Sequence, residues 1–440
     1  MTWWVPLLVG TVMLFGLLLL GVPIFVAFLI LNVTGILVLL GPAGFGMFAN
    51  SIFTTGTINA LAAVPLFILM GDILFRSGAI EALLDAMDRL VGRIRGRQYV
   101  LCILLSAILG ALSGAAMAVA GLLGRSLFPT MLKRGYDRHL SAGTILAGAS
   151  LDPIIPPSVL AILIATIAQI STGALLIAGI MPGLLLTAMF LGYIFIRLKI
   201  NPALAPEPSD DEAARNAEGG VFGAFVKMLP SVFIFVIVMG LVMFGIATPT
   251  EAAAAGVFGA LAIALGYRRL TFTLVKEALV SAATVSSLLL LVMCCAVIFS
   301  QLLTLTGAAT RLGELVASLQ LSPWLMLTLM LALPFVLELM CLDTVALMFI
   351  LIPIYQPLLK VYGFDQIWFY TLFLVVATVG GITPPFGYTL FALKAAAPDI
   401  PMRDIFKASW PFTWIILAGL VVMAIFPSII TFLPQLVRQP

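Results

Sequence analysis

Charge is what this sequence has least of. Of its 440 residues only 9% are charged, 22 basic and 19 acidic, and there is a single histidine. A soluble domain carries about 25% charged residues, so a chain this poor in charge cannot cover a water-facing surface. Its net charge of +3 says little about partners, because the sign that matters here is local; a lipid bilayer is expected around the chain and no nucleic acid. With one histidine, no HExxH and no Ser/His pair within the apolar stretches, nothing supports an intramembrane enzyme. No cofactor motif appears either. The four cysteines, Cys102, Cys294, Cys295 and Cys341, lie inside apolar stretches with neither metal-site spacing nor the setting of a disulfide framework. The N-terminus lacks the basic residues and the small-residue cleavage site of a secretory signal, and reads as a retained span.

Long apolar runs are what the chain has in abundance. It is 62% hydrophobic with a mean hydropathy of +1.22. Apolar segments fall roughly at 5–21, 23–40, 59–77, 99–130, 140–168, 173–197, 228–247, 252–266, 284–306, 323–358, 366–392 and 410–433. Runs of about 20 apolar residues cross a hydrocarbon core of roughly 30 Å. Lipid offers no partner to unpaired backbone groups, so the spans are helical and the expected class is an all-α polytopic membrane protein. Pro23 separates the first two runs, and the sequence leaves open whether residues 5–40 cross once or twice. The one strongly polar stretch, 201–220, holds Pro202, Pro206, Pro208, Asp210, Asp211 and Glu212 and has the composition of a solvated linker. Segments 79–98 and 308–322 mix charge into a helical pattern and read as amphipathic helices at the interface.

Lys and Arg placement gives topology. Arg89, Arg93, Arg95 and Arg97 precede the run 99–130, and Lys133, Arg134 and Arg138 follow it. Both ends therefore face the cytoplasm, and the run must turn back inside the membrane, near Gly110-Ala111-Leu112-Ser113-Gly114. A shift of 228 positions then superposes the two halves: Pro129 on Pro357, Gly135 on Gly363, Asp137 on Asp365, Ala149 on Ala377, and Pro156-Pro157 on Pro384-Pro385. The second run, 323–358, is flanked by Glu314, Lys360 and Asp365 instead of seven cations, so its hairpin opens on the opposite side. Inverted repeats with broken helices are the secondary-transporter pattern, with the site near the midplane.

Each repeat supplies two interruptions: the Ser113-Gly114 turn with the segment Ser150–Ser158, and the Cys341–Thr344 turn with Thr378–Pro385. Paired prolines break a spanning helix. The freed carbonyls, with hydroxyl oxygens, suit a hard cation such as sodium, and a half-helix N-terminus favours an anionic group. The expectation is one cation site per repeat, with substrate between the hairpin tips near Ser113, Pro156, Pro157, Asp343, Pro384 and Pro385. Asp152, Glu338 and Asp343 are ionisable groups inside apolar segments, where such groups are costly and usually functional.

Several strings resemble a known family. Ser113-Gly114-Ala115-Ala116 with Pro129 and Lys133-Arg134-Gly135-Tyr136-Asp137, then Ile154-Ile155-Pro156-Pro157-Ser158, resemble signatures of the large membrane subunit of tripartite ATP-independent periplasmic (TRAP) transporters, dicarboxylate permease type. So do Thr248-Pro249-Thr250-Glu251, Leu342-Asp343 and Thr383-Pro384-Pro385-Phe386-Gly387. The resemblance runs in order along essentially the whole chain. It implies a sodium-driven, elevator-type importer in the bacterial inner membrane, taking up a small organic acid with a small transmembrane subunit and a periplasmic solute-binding protein. Carried over, it points to Ser113, Gly114 and the backbone near Ser150 for one sodium site, and to Asp343, Thr344, Thr378, Gly380 and Thr383 for the other. Asp152 and Glu338 depart from the family pattern, which has small residues there; Asp152 joins the candidate sodium ligands, and an added carboxylate could strengthen a cation site, permit proton coupling or change the substrate. The alternative is a stand-alone ion- or proton-coupled carrier of related fold. The expected organisation is scaffold spans 1–78, first repeat 79–172, a span 173–200, a cytoplasmic linker 201–227, scaffold spans 228–306, second repeat 307–395 and a C-terminal span 396–440.

Overall fold

The computed structural model describes residues 4–79, 82–83, 86–87, 94–113, 115–207, 221–340 and 343–437. Among these, every regular element is helical and no strand occurs. The α-helices are α1 (Trp4–Leu19), α2 (Ile24–Leu39), α3 (Phe45–Gly56), α4 (Ala63–Arg76), α5 (Arg97–Ser113), α6 (Ala116–Lys133), α7 (Arg138–Ala149), α8 (Val159–Ile167), α9 (Thr172–Ala178) and α10 (Ile180–Ile200). There follow α11 (Val221–Met243), α12 (Pro249–Gly266), α13 (Phe272–Leu305), α14 (Ala308–Ser318), α15 (Pro323–Leu339), α16 (Thr344–Tyr362), α17 (Gln366–Ile382), α18 (Tyr388–Ala396), α19 (Met402–Ile425) and α20 (Ser428–Val437). Half of the expected amphipathic segment 79–98 (residues 80–81, 84–85 and 88–93) and residues 208–220 of the linker lie outside the described residues.

At the N-terminus Val5, Val9 and Met13 of α1 share a groove with Leu31, Thr34 and Val38 of α2. The two helices therefore run antiparallel, as a helical pair turning at Gly21–Pro23. The span expected at 284–306 is longer than its apolar run. At 1.5 Å per residue the 34 residues of α13 extend about 51 Å, well beyond the hydrocarbon. Its polar first turns continue the helix into the interface, where Glu277 pairs with Arg76, which also holds Asp72 at 3.1 Å.

The repeat at offset 228 is structural as well as sequential. α6 begins at 116 and α16 at 344, α7 at 138 and α17 at 366. Asp137 caps α7 by accepting the Leu140 amide at 2.8 Å, and Asp365 caps α17 by accepting the Trp368 amide at 2.8 Å. Before each cap the chain turns through a glycine with positive φ, Gly135 at 82° and Gly363 at 66°, a region a side chain enters only at a cost. α5 folds back on α6 and α15 on α16; in the second pair the Tyr355 hydroxyl donates to the Met330 carbonyl at 2.8 Å.

One helix shows that the repeats are inverted. α19 begins beside the base of the first hairpin, where Asp404 lies 3.7 Å from Arg138 and 3.5 Å from His139. It ends beside the base of the second, where the Met423 carbonyl accepts from the Trp368 indole at 3.1 Å. Its 24 residues rise about 36 Å, so equivalent points of the two repeats lie a membrane thickness apart. The close approach of α7 to α19 depends on Gly143, where a Cβ would stand 2.5 Å from the Ala408 carbonyl. The first residues after α10 return to the first hairpin's base: the Leu204 carbonyl accepts from the Tyr99 hydroxyl at 2.6 Å and the Asp137 amide at 3.0 Å.

This geometry predicts opposite labelling of the two hairpin bases. In a cysteine-free background, Arg134→Cys and Lys360→Cys should react with a membrane-impermeant thiol reagent from opposite sides. With only the periplasmic face exposed, Lys360→Cys should label and Arg134→Cys should not. Equal labelling of the two would contradict the inversion.

Candidate functional site

Both breaks are satisfied from within the protein. α7 stops at Ala149, where the Ser150 hydroxyl donates to the Ala147 carbonyl at 2.7 Å. The chain then runs through turns, in which the Ile154 and Ile155 amides both donate to the Leu151 carbonyl, and through the cis Pro156–Pro157 bond to Ser158. Ser158 holds the break closed: its hydroxyl donates to the Pro153 carbonyl at 2.5 Å and accepts the Ala161 amide at 3.2 Å, capping α8. In the second repeat Thr383 donates to the Val379 carbonyl at 2.6 Å as α17 ends. The cis Pro384–Pro385 bond follows, and Thr389 of α18 donates back to the Gly381 carbonyl at 2.5 Å. Gly387 lets the backbone double back, since a Cβ there would stand 2.6 Å from that same carbonyl.

Both hairpin tips and the first break converge on one cavity of about 230 Å³. The first tip contributes Ala116 and Met117, the first break Asp152, Pro153 and Ser158, the second tip Asp343 and Thr344, and α18 contributes Tyr388. No Lys, Arg or His is among its lining residues. Asp343 caps α16, its Oδ1 accepting the Val345 amide at 2.8 Å and the Ala346 amide at 3.2 Å. The Thr344 hydroxyl donates to Oε1 of the buried Glu338 at 2.9 Å. The N-termini of α6, α8 and α16 all reach this cavity, and each carries a partial positive charge.

Of the residues singled out from sequence, Asp152, Asp343 and Thr344 line the cavity. Ser150, Thr378 and Thr383 are buried just behind it in the broken helices, with Thr378 donating to the Val375 carbonyl at 2.7 Å. Gly380 lies on α17 against Glu338. Pro156, Pro157 and Pro384 are buried and Pro385 is exposed; all four shape the breaks rather than line the cavity. Gly114 lies outside the described residues, and so does the side chain of Ser113. Sequence reasoning missed Tyr388 and left Glu338 without a site. The Pro-Pro motif signals a break but not which side chain the returning helix presents.

A membrane protein whose inverted repeats each carry a re-entrant hairpin and a broken helix, with both hairpin tips at one cavity, is, by architecture, a secondary transporter. The family model described as "Tripartite ATP-independent periplasmic transporter, DctM component" matches residues 11–429, and the chain belongs to that family as the large permease subunit. It is 30% identical over 402 residues to the C4-dicarboxylate TRAP transporter large permease protein DctM of Pseudomonas aeruginosa, covering 91% of this chain and 92% of that one. It is 28% identical over 425 residues to the ectoine TRAP transporter large permease protein TeaC of Halomonas elongata, covering 96% and 97%. Among solved structures the YdaH transporter of Alcanivorax borkumensis superposes with a TM-score of 0.63 at 17% identity, over 89% of this chain and 90% of that one. MtrF of Neisseria gonorrhoeae does so at 0.60 and 15%, over 88% and 84%. These two likenesses concern the fold alone.

Ser158 joins the two sides of the first break. Ser158→Ala removes the α8 cap and leaves the Pro153 carbonyl unpaired, and should cost about 1–2 kcal/mol, read as a lower unfolding midpoint of the detergent-solubilised protein. Ser158→Thr should keep most of that stability.

Proposed function

We propose that this permease imports a small organic acid across the bacterial inner membrane, driven by a sodium gradient. In this reading a periplasmic solute-binding protein delivers the acid and a small transmembrane subunit braces the permease. The convergence of both hairpin tips and the first break on one cavity, with Tyr388 just past the second break, is the observation that carries it. Within a largely apolar lining the cavity gathers oxygen-bearing side chains, among them the carboxylates of Asp152 and Asp343 and the hydroxyl of Thr344. Hard monovalent cations prefer such ligands. The first sodium site uses Ser113, Gly114, the backbone at Ser150, and Asp152; the second uses Asp343, Thr344, Thr378, Gly380 and Thr383. Between them the N-termini of α6, α8 and α16 receive the anionic group of the acid.

Relatives named for C4-dicarboxylate, 2,3-diketo-L-gulonate and sialic acid uptake support an acidic substrate, and the inverted repeats support an elevator step. The two hairpins and breaks move together across a scaffold that includes α11 and α12. Alternating access then needs no rearrangement within the cavity walls.

Reconstitution in proteoliposomes tests the reading. The permease, its co-purifying membrane subunit and an acid-loaded binding protein should give uptake under an inward sodium gradient. Replacing sodium by potassium, or omitting the binding protein, should reduce that uptake about tenfold or more, and Asp343→Ala should do the same through loss of a directly liganding group. Undiminished uptake without a binding protein would instead identify a stand-alone carrier.

A further inference from the structure

The two repeats bury one carboxylate each at the same junction, but on opposite elements. In the first repeat Asp152 sits in the broken helix and faces Gly110 of α5. A Cβ at Gly110 would stand 2.9 Å from the Cα and Cβ of Asp152 and 3.2 Å from its Oδ1. In the second repeat Glu338 sits on α15 and faces Gly380 of α17, where a Cβ would stand 2.9 Å from the Cβ of Glu338. The offset of 228 maps Gly110 onto Glu338 and Asp152 onto Gly380. The third member of each junction is the first residue of the second hairpin helix, Ala116 or Thr344, also related by 228. Carboxylate and glycine have changed places while the junction has kept its geometry.

Each carboxylate is only partly satisfied, Asp152 by the Ala116 amide and Glu338 by the Thr344 hydroxyl. Asp152 is 3% exposed and Glu338 7% exposed. Oδ1 of the first and Oε2 of the second are buried with no hydrogen-bond partner. Neither forms an ion pair with a Lys, Arg or His among the described residues. A buried carboxylate oxygen with no donor and no countercharge is costly. Finding two, at equivalent points of an inverted repeat, signals that something with positive charge belongs beside each.

We infer that Asp152 and Glu338 are equivalent ligands of two bound sodium ions, one per repeat, with Glu338 supplying to the second site the fixed negative charge that Asp152 supplies to the first. This rests on the sodium reading above and adds to it a residue and a rule: one carboxylate per site, carried by the broken helix in one repeat and by the hairpin in the other. Thr344 holds Oε1 of Glu338 at 2.9 Å, while Oε2, packed against Gly380, is the oxygen left without a hydrogen-bond partner. Gly110 and Gly380 are glycines because a side chain at either would fill the space the opposing carboxylate occupies.

The test is sodium-specific stabilisation of the purified full-length permease in detergent. Unfolding midpoints are compared in sodium chloride and choline chloride at equal ionic strength, because a ligand that binds only the folded state raises the midpoint with its concentration. Wild type should gain stability from sodium. Asp152→Asn and Glu338→Gln should each lose a large part of that gain, with apparent sodium affinity falling about tenfold or more, and the double variant should respond to sodium no more than to choline. The exchange variant E338G/G380D gives the second repeat the arrangement of the first, and should regain sodium responsiveness that Glu338→Gly alone lacks. A purely structural role would lower all midpoints equally in both salts. A wild-type sodium response undiminished in Asp152→Asn and Glu338→Gln would overturn the carboxylate assignment while leaving the sodium reading intact. No sodium response in wild type would overturn the sodium reading itself, and this inference with it.

Discussion

A helix interrupted halfway across a bilayer leaves backbone groups that lipid cannot satisfy, and this chain is interrupted at four such places. Much of its architecture answers that requirement. At the two Pro-Pro breaks, short-range hydroxyl bonds from Ser150, Ser158, Thr383 and Thr389 take up carbonyls that helical amides no longer reach. The tips of the two hairpins, at Ala116-Met117 and Asp343-Thr344, line one cavity together with the first break. Helices such as α12 and α13, by contrast, are regular and expose apolar side chains outward, Phe258 and Leu288 among them, because an unbroken helix asks nothing of its surroundings. Broken elements inside and continuous elements outside are thus one constraint seen twice.

Inversion follows from the same requirement. A single re-entrant hairpin covers one side of a break and leaves the other open. A second copy entering from the far side covers both, and α19 measures the separation by touching Arg138 at its start and Trp368 near its end. The tips then meet near the middle, where Met117 of the first and Thr344 of the second line the same cavity.

The sequence made legible what is local and repeated. Proline pairs, capping aspartates and turn glycines recur at a fixed offset, and each acts on the backbone within a few residues of itself, so Asp137 and Asp365, or Pro156-Pro157 and Pro384-Pro385, predict their own geometry. What remained illegible depends on which element lies opposite. Glu338 aligns with a glycine and Asp152 with another, so the repeat comparison alone shows two mismatches. Only the packing of α15 on α17, and of α5 on the first break, turns the mismatches into one exchanged pair. Tyr388 lines the cavity because α18 returns after the break at a particular angle, which no periodicity encodes. The length of α13 went unread for a different reason: its first turns are polar, and hydropathy measures burial in lipid rather than helicity.

The cavity's charges bear on coupling. Carboxylates stand beside the N-termini of α6, α8 and α16, so fixed negative charge and helix-end positive potential share one space. Bringing in only cations would leave the helix ends facing added positive charge, and bringing in only an anion would set it against Asp152 and Asp343. At low dielectric either imbalance costs several times what it costs in water. Cations on the carboxylates and an anion on the helix ends, admitted together, leave the space close to neutral. On the sodium reading, tight coupling then requires no signal passing between the sites, because the half-loaded cavity is the state of highest electrostatic energy and the one least able to close and move.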